Sequence, residues 1–185
     1  MTLAWMLVKP AFPHYQNSYL SNKLLEILLT NNDTLRSLRY TLNYNDAKMI
    51  SMFTHVDHKV TRKEISYWLK KDEDPEYKDC GDVELATFLN GLICEKRGKK
   101  DGPQPEPESR LSNNIVFRKL KIAFNLKNED VVDIMALANF EMSNHELTAF
   151  FRRPDHKNYR PCKNQMLRNF LKGLQVKYRP SESDS

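Results

Sequence analysis

The sequence predicts an all-α protein of two tandem four-helix modules, in helix-turn-helix-like order, joined by a Pro-rich linker. Three observations support this fold: an internal repeat at a shift of 82 residues, apolar residues at steps of three and four, and the same helix-start signals in both copies. Residues 31–97 align onto residues 113–179 without a gap. The identical pairs are Asn31/Asn113, Asn32/Asn114, Arg36/Arg118, Leu38/Leu120, Asn43/Asn125, Glu64/Glu146, Tyr77/Tyr159, Cys80/Cys162, Leu85/Leu167, Phe88/Phe170, Leu89/Leu171, Gly91/Gly173, Leu92/Leu174 and Arg97/Arg179. The chain therefore carries two copies of one module.

The first helix of each copy follows from apolar residues spaced by three and four positions, the period of an amphipathic helix. Asn32 and Asn114 precede these runs and are predicted as N-caps, because an Asn side chain can accept a hydrogen bond from a free N–H of the first turn. A second helix is predicted at residues 46–56 and 128–138. The side chains predicted to face inward are Leu35, Leu38, Leu42, Met49, Ile50 and Phe53, and Phe117, Leu120, Phe124, Val131, Ile134 and Met135.

The third helix begins with a capping box in both copies. Thr61 and Ser143 each stand three residues before a glutamate, and in this S/T-x-x-E pattern the two side chains satisfy free N–H groups reciprocally. The helix is predicted over residues 61–71 and 143–153, ending before the prolines that follow. Its apolar positions, expected on the buried face, are Ile65, Trp68, Leu69, Leu147, Phe150 and Phe151.

A last helix is predicted at residues 82–96 and 163–178, where leucine and phenylalanine dominate one face. Gly91 and Gly173 lie inside it at matching positions. Because glycine weakens a helix interior, its repetition indicates the close approach of a neighbouring helix.

The segments outside the repeat differ in composition from the modules. Residues 98–112 lack apolar periodicity, and alternating prolines favour an extended polyproline conformation, so this linker is predicted to be a semi-rigid spacer able to span about 45 Å. Residues 1–30 are predicted to form an N-terminal extension, in which residues 21–29 could form a short helix. Residues 180–185 are predicted to form a disordered tail.

Composition is that of a soluble globular protein, with 40% apolar and 29% charged residues. The apolar stretch at residues 3–8 is too short for a membrane helix and lacks a basic segment before it, so neither a membrane span nor a signal peptide is expected. Three cysteines without CxxC spacing argue against a disulfide framework or a zinc knuckle. The protein is predicted to be cytoplasmic, with no metal and no cofactor.

The order of a short helix, a turn and a further helix is that of a helix-turn-helix, in which the helix after the turn enters the DNA major groove. In this chain that helix is the third of each copy. The connections at residues 54–59 and 136–141 are longer than the usual tight turn and contain no glycine. A plain helical bundle whose third helix is polar on its outer face therefore remains the alternative.

Charge distinguishes the two copies. Residues 143–179 contain nine basic and two acidic residues, whereas residues 61–97 contain seven basic and nine acidic residues. Because neutralised phosphates supply the nonspecific affinity for nucleic acid, the second copy is predicted to bind DNA or RNA and the first to contribute little. A basic face that is only solvated is the alternative. The candidate contact residues are Asn144, His145, Thr148, Arg152, Arg153, Lys157, Arg160, Lys163 and Arg168.

Signals of catalysis are weak. The chain has five glycines and no phosphate-binding loop, and its histidines lack metal-ligand spacing with cysteines or carboxylates. Cys80 and Cys162 match at a loop-to-helix boundary, where a small semi-buried thiol explains them better than a nucleophile does. Catalysis would need a pocket that gathers His145, Glu146 and residues near Cys162, so a non-enzymatic protein is predicted.

Several stretches resemble a known family: NNDTLRSLRY at residues 31–40, FLNGLI followed by EKRGKK within residues 88–100, and LRNFLKGLQ at residues 167–175. With the linker and RPDHK at residues 153–157, they closely resemble the YehS-like family of small bacterial cytosolic proteins, a domain of unknown function. The resemblance covers about residues 30–179. It implies a duplicated all-helical protein without an established activity or catalytic residues to carry over. It also implies that the family fold begins near Thr30, so residues 1–29 are expected to lie outside it, as from a misplaced start site.

Two functions remain open at this point. The first is a non-enzymatic tandem helix-turn-helix-like protein that binds nucleic acid, DNA in particular, through Arg152, Arg153 and their neighbours. The second is a protein-interaction adaptor, in which the modules fold onto each other or clamp a partner and the charges serve solubility. The adaptor hypothesis predicts exposed apolar residues between the modules, whereas occlusion of the third helices would exclude groove insertion.

Overall fold

A computed structural model describes residues 28–99 and 101–179. The predicted extension up to residue 27, including most of the helix suggested at residues 21–29, and the predicted tail at residues 180–185 lie outside the described residues. Within the described part the protein is all-helical, and the predicted architecture of two four-helix modules is confirmed. The helices are α1 Asn31–Thr41, α2 Asp46–Thr54, α3 Arg62–Leu69, α4 Asp82–Arg97, α5 Asn113–Ala123, α6 Asn128–Leu137, α7 Asn144–Ala149 and α8 Asn164–Tyr178.

The first helix of each module begins two residues earlier than its asparagines suggested, and the prediction of Asn32 and Asn114 as N-caps is wrong. Thr30 and Ser112 are the N-caps, and their hydroxyls accept hydrogen bonds from main-chain N–H groups of the first turn. Both asparagines lie inside the helix and are buried, with exposed fractions of 1% and 7%. A capping pattern is local, and it cannot show that an asparagine side chain has distant partners.

Each buried asparagine joins three main-chain groups of its own module, an arrangement we call the asparagine bracket. The Asn114 amide nitrogen donates to the carbonyl oxygens of Phe150 and Arg160, each at 2.9 Å. Its amide oxygen accepts from the Cys162 N–H at 2.8 Å. Asn32 makes the same three bonds in the first module. The bracket therefore ties the first helix to the end of the third helix and to the segment before the fourth.

The third helix is shorter than predicted in both modules, ending at Leu69 in the first and earlier still in the second. Capping boxes formed by Thr61 with Glu64 and by Ser143 with Glu146 are confirmed. However, α7 ends at Ala149, four residues before the predicted end at residue 153. The Ala149 carbonyl accepts from the N–H of Arg160 at 3.1 Å, and the equivalent Tyr67 carbonyl accepts from the N–H of Lys78 at 3.3 Å, so both third helices are tied at the same place to the loop before the fourth helix.

Gly91 and Gly173 allow the second and fourth helices of each module to touch, as predicted. A Cβ atom at Gly91 would lie 1.7 Å from the carbonyl oxygen of Met52, and one at Gly173 would lie 2.0 Å from that of Ile134. Both distances are far shorter than a van der Waals contact. Glycine is therefore required where α4 crosses α2 and where α8 crosses α6.

The two modules pack directly on each other. Helix α1 contacts α8, and α4 contacts α5, so each of the two contacts joins the first helix of one copy to the last helix of the other. We call these two contacts the module seams. The buried apolar residues of both copies form one cluster. The modules therefore share a core.

The linker does not act as the predicted spacer but lies along the α4–α5 seam. The Asn90 amide donates to the Pro105 carbonyl at 3.2 Å, and the ammonium of buried Lys119 pairs with Glu108 at 2.9 Å. At its end, the Leu111 N–H donates to the Asp82 carboxylate. Proline residues retain carbonyl oxygens that can accept hydrogen bonds. A stiff, extended segment can therefore pack on a protein surface as readily as it can hold two modules apart.

Replacing Asn32 or Asn114 by alanine should destabilise the protein by roughly 3 kcal/mol, because each change leaves a buried N–H and two carbonyl groups without their partner. Denaturant unfolding measures this change. Asn158→Ala is the matched control, since Asn158 is exposed, and it should cost less than about 0.5 kcal/mol. Equal losses in bracket and control variants would contradict the role of the bracket.

Gly91→Ala should lower the free energy of unfolding by about 3 kcal/mol or more, because the added methyl group forces α2 and α4 apart. Gly81→Ala is a suitable comparison. Its Cβ would meet only the mobile end of the Glu84 side chain, and its cost should stay below about 1 kcal/mol. Thermal or chemical denaturation of both variants tests the close approach, which a wild-type-like Gly91→Ala protein would disprove.

Candidate nucleic-acid interface

The third helices lie away from the module seams. Helix α3 packs on α1 and α2, and α7 packs on α6, all within their own modules. Arg62, Lys63 and Ser66 on α3 are exposed, as are Asn144 and His145 on α7. The outward side chains of both third helices are thus accessible, and the occlusion that would exclude groove insertion is not seen for them.

The structure divides the predicted contact residues between α7 and the loop after it. Asn144 and His145 occupy the first turn of α7, and the Thr148 hydroxyl is half-buried and donates to the His145 carbonyl at 2.8 Å. Because α7 ends early, Arg152 and Arg153 lie beyond it rather than on its outer face, which corrects their predicted position. The remaining exposed cations of the loop are Lys157, Arg160 and Lys163.

Arg168 does not belong to this surface. It lies on α8 and donates to the Leu28 carbonyl at 3.2 Å. It also lines a cleft of about 780 Å³ at the α1–α8 seam, together with Asp33 and Asp72. Its counterpart in the first module is buried Ala86, and the structure places Arg168 at a seam, apart from the other predicted contact residues.

The loop between the third and fourth helices carries opposite charge in the two modules. Residues 72–82 contain six carboxylates and one lysine, whereas residues 154–164 contain one carboxylate and three cations. Lys70, which precedes the acidic loop, pairs with Asp74 and Glu76. The equivalent Arg152 donates only to a main-chain oxygen, that of Asn158, at 3.4 Å.

The cations around α7 are not neutralised by the protein itself. Within residues 28–99 and 101–179, no carboxylate forms an ion pair with Arg152, Arg153, Lys157, Arg160 or Lys163. The nearby Glu146 carboxylate is occupied by the capping box, whose bonds from the Ser143 N–H and hydroxyl lower the pKa of Glu146. This surface can therefore attract a polyanion without first breaking ion pairs.

One cationic pocket escaped the sequence patterns. Arg97 and Arg118 come together at the α4–α5 seam, although 21 positions separate them. Their signal was present, because both are identical across the repeat. The identity alone could not indicate a pocket, because nothing in the sequence shows that the last helix of one copy contacts the first helix of the other.

The comparisons with known proteins agree with the duplicated fold. The family described as "Protein of unknown function (DUF1456)" matches residues 31–98 and again residues 113–179. The chain belongs to this family. "Uncharacterized protein YehS" of Escherichia coli (strain K12) is 45% identical over 147 residues, which cover 79% of this chain and 94% of that protein. These findings confirm the resemblance to the YehS-like family, while no solved structure matches the chain.

In this DUF1456 member the repeated cysteines have a structural role. Cys80 and Cys162 are 4% and 5% exposed, and their N–H groups belong to the asparagine brackets. Burial raises the pKa of each thiol to about 12. Among the described residues, no group of three or more His, Cys, Asp or Glu side chains is placed to hold a metal ion. None of the described helices has the length and apolarity needed to cross a membrane.

The native protein should resist alkylation at Cys80 and Cys162. With the pKa of each thiol at about 12, roughly one thiol in ten thousand is ionised at pH 8, and only the thiolate reacts. Iodoacetamide labelling followed by mass spectrometry should modify these sites quickly only after unfolding in guanidinium. The chain unfolded in urea should also be labelled quickly and provides a second reference for the labelling rate. Rapid labelling of native Cys162 would instead favour a reactive, nucleophilic thiol.

Proposed function

We propose that this protein is a non-enzymatic nucleic-acid-binding protein, with DNA as the favoured ligand, and that its second module makes the contacts. The observation that carries the proposal is the set of cations around α7 that form no ion pair among the described residues, whereas Lys70, the first-module equivalent of Arg152, pairs with Asp74 and Glu76. The two copies share one scaffold and differ here in charge, although α7 is also shorter than α3. The first module therefore serves as an internal comparison for the effect of charge.

The loop after α7 supplies the electrostatic part of the interaction. Arg152, Arg153, Lys157, Arg160 and Lys163 are separated from one another by few residues and reach solvent. Guanidinium and ammonium groups in such an arrangement contact phosphate oxygens and release condensed counterions. Affinity for nucleic acid should therefore depend steeply on salt.

The short α7 supplies the part that reads bases. Six residues at about 1.5 Å each make a helix of roughly 9 Å, so only its first turn can enter a groove. Asn144 and His145 occupy that turn, and asparagine can form a bidentate pair with adenine. Specificity from so few side chains should be modest, and phosphate contacts should dominate binding.

Fluorescence anisotropy of a labelled DNA duplex, titrated with protein across salt concentrations, tests the proposal. Arg152→Gln plus Arg153→Gln removes two cations and should reduce the slope of log K against log salt by about 2. Lys70→Gln plus Lys71→Gln removes two cations from the equivalent positions of the first module. This matched variant should bind as the wild type does, because six carboxylates follow those lysines at residues 72–82 and two of them pair with Lys70.

Absence of salt-dependent binding to DNA or RNA at low ionic strength would overturn the proposal. Equal losses in the two double variants would also overturn it, because the effect would then come from total charge. A melting curve of each variant separates loss of binding from loss of folding.

A protein-interaction adaptor is the second candidate, and exposed apolar side chains favour it. Tyr40, Ile122 and Val176 are each about half exposed, and they lie on helices that form the module seams. Capture of one defined protein, unaffected by Arg152→Gln plus Arg153→Gln, would support the adaptor. The same double variant thus discriminates between the two candidates.

A further inference from the structure

Two equivalent pockets lie at the module seams. The first, of about 380 Å³, places Arg97 of α4 beside Arg118 and Lys121 of α5, above Ile122 and Phe151. The second, of about 310 Å³, has its counterparts at the α1–α8 seam. Every lining residue of one pocket is the 82-residue equivalent of a lining residue of the other. The two pockets are therefore equivalent. Each is lined by three cations and is built from both modules.

The pocket at the α1–α8 seam is neutralised by its own surroundings. Arg36 pairs with Asp33 at 2.6 Å, and Arg39 pairs with Asp46 at 2.8 Å. The Arg179 guanidinium stacks over the Tyr40 ring, 3.4 Å from its centroid. All three cations of this pocket are thus engaged.

The pocket at the α4–α5 seam lacks the acidic partners present in the first module. The positions of Asp33, Asp46 and Asp72 are occupied in the second module by Ile115, Asn128 and Pro154. No carboxylate pairs with the three cations in the part of the chain that the structure describes. We call this the open pocket.

Each cation of the open pocket keeps donors available. Arg118 uses one amino group on the Phe151 carbonyl at 2.8 Å, and Lys121 donates to the Asn128 amide oxygen. The Arg97 guanidinium has no hydrogen-bond or ion-pair partner among the described residues, and the residue is exposed. A guanidinium carries five N–H donors in a planar fork that matches the oxygens of a phosphate. The open pocket therefore presents three positive charges and several unused donors.

An apolar cavity adjoins the open pocket beneath the linker. Its volume is about 660 Å³, and it shares Arg97, Arg118 and Ile122 with the open pocket. Ile93 and Ile115 line it as well, and so does the Lys119–Glu108 ion pair. A volume of this size is typical of small-molecule sites, which combine apolar walls with a few placed polar groups.

We propose that the open pocket binds the phosphate of a small phosphate monoester, and that the apolar or aromatic body of this ligand occupies the adjoining cavity. A dianionic phosphate matches three cations better than a single carboxylate does. The site needs Arg97 from the first module and Arg118 from the second, so only the packed pair of modules forms it. It is separate from the nucleic-acid contacts proposed above and does not require them.

Isothermal titration calorimetry of the full chain with phenyl phosphate tests the proposal. Inorganic phosphate and phenol are the partial probes. Phenyl phosphate should bind saturably at low ionic strength and more tightly than inorganic phosphate, because its ring removes apolar surface from water. Phenol should bind far more weakly than either. Equal affinities for phenyl phosphate and inorganic phosphate would overturn the role assigned to the apolar cavity.

Matched arginine variants locate the site. Arg97→Gln should weaken phenyl phosphate binding by at least about tenfold, through the loss of a charge-assisted contact. Arg179→Gln removes the equivalent arginine of the neutralised pocket and should change binding by no more than about twofold. Equal losses in the two variants, or no saturable binding to the wild type, would overturn the proposal.

A further pair of variants separates this site from the nucleic-acid surface. Arg152→Gln plus Arg153→Gln should leave phenyl phosphate affinity unchanged, and its loss there would show that the loop rather than the pocket holds the phosphate. Because Arg97 is exposed, Arg97→Gln should unfold as the wild type does. Arg118→Lys, which keeps the charge but removes the planar fork, gives a second reading if that expectation fails, and wild-type affinity in this variant would overturn the role of the fork.

Discussion

The buried asparagine amide of each module is the interaction on which the rest of the structure depends. Asn32 and Asn114 each satisfy three main-chain groups that come from two different segments. Without them, a buried N–H and carbonyl groups would lack partners at the end of the third helix. Because every partner is a main-chain atom, the bracket fixes the path of the loop but leaves its side chains unconstrained. The same loop can therefore be acidic in one module and basic in the other.

Packing of the modules determines which groups the arginines that are identical in both copies can reach. Contact across the module seams brings α4 to α5 and α8 to α1. Arg97 and Arg179 thereby reach pockets that belong mainly to the opposite module. The linker closes one seam, where buried Lys119 is held by Asn90 and Glu108. A protein of two independent modules could form neither pocket, so the shared core is a condition for these sites.

Features that depend on neighbouring residues could be predicted from the sequence, and features that depend on distant ones could not. Thr61 predicts a helix start because its capping partner is only three residues away. Gly91 predicts a close helix contact because glycine destabilises any helix interior. Asn32 has partners 36 to 48 positions away, so its local context suggested a cap. Charge counts located the basic surface, but they could not separate Arg168, whose position at a seam follows from packing between the copies.

The second module lacks carboxylates that the first module has at two places on the shared scaffold. One is the loop of residues 154–164, and the other is the rim of the open pocket, where three aspartates of the first module have no acidic equivalent. These places adjoin in the chain, since Phe151 lines the pocket and Arg152 follows it directly. They use different groups, because a phosphate in the pocket would be held by Arg97 and Arg118, whereas a polyanion on the loop would contact Arg152 and its neighbours. Absence of these acidic side chains thus leaves two cationic places with separate contacts on one module.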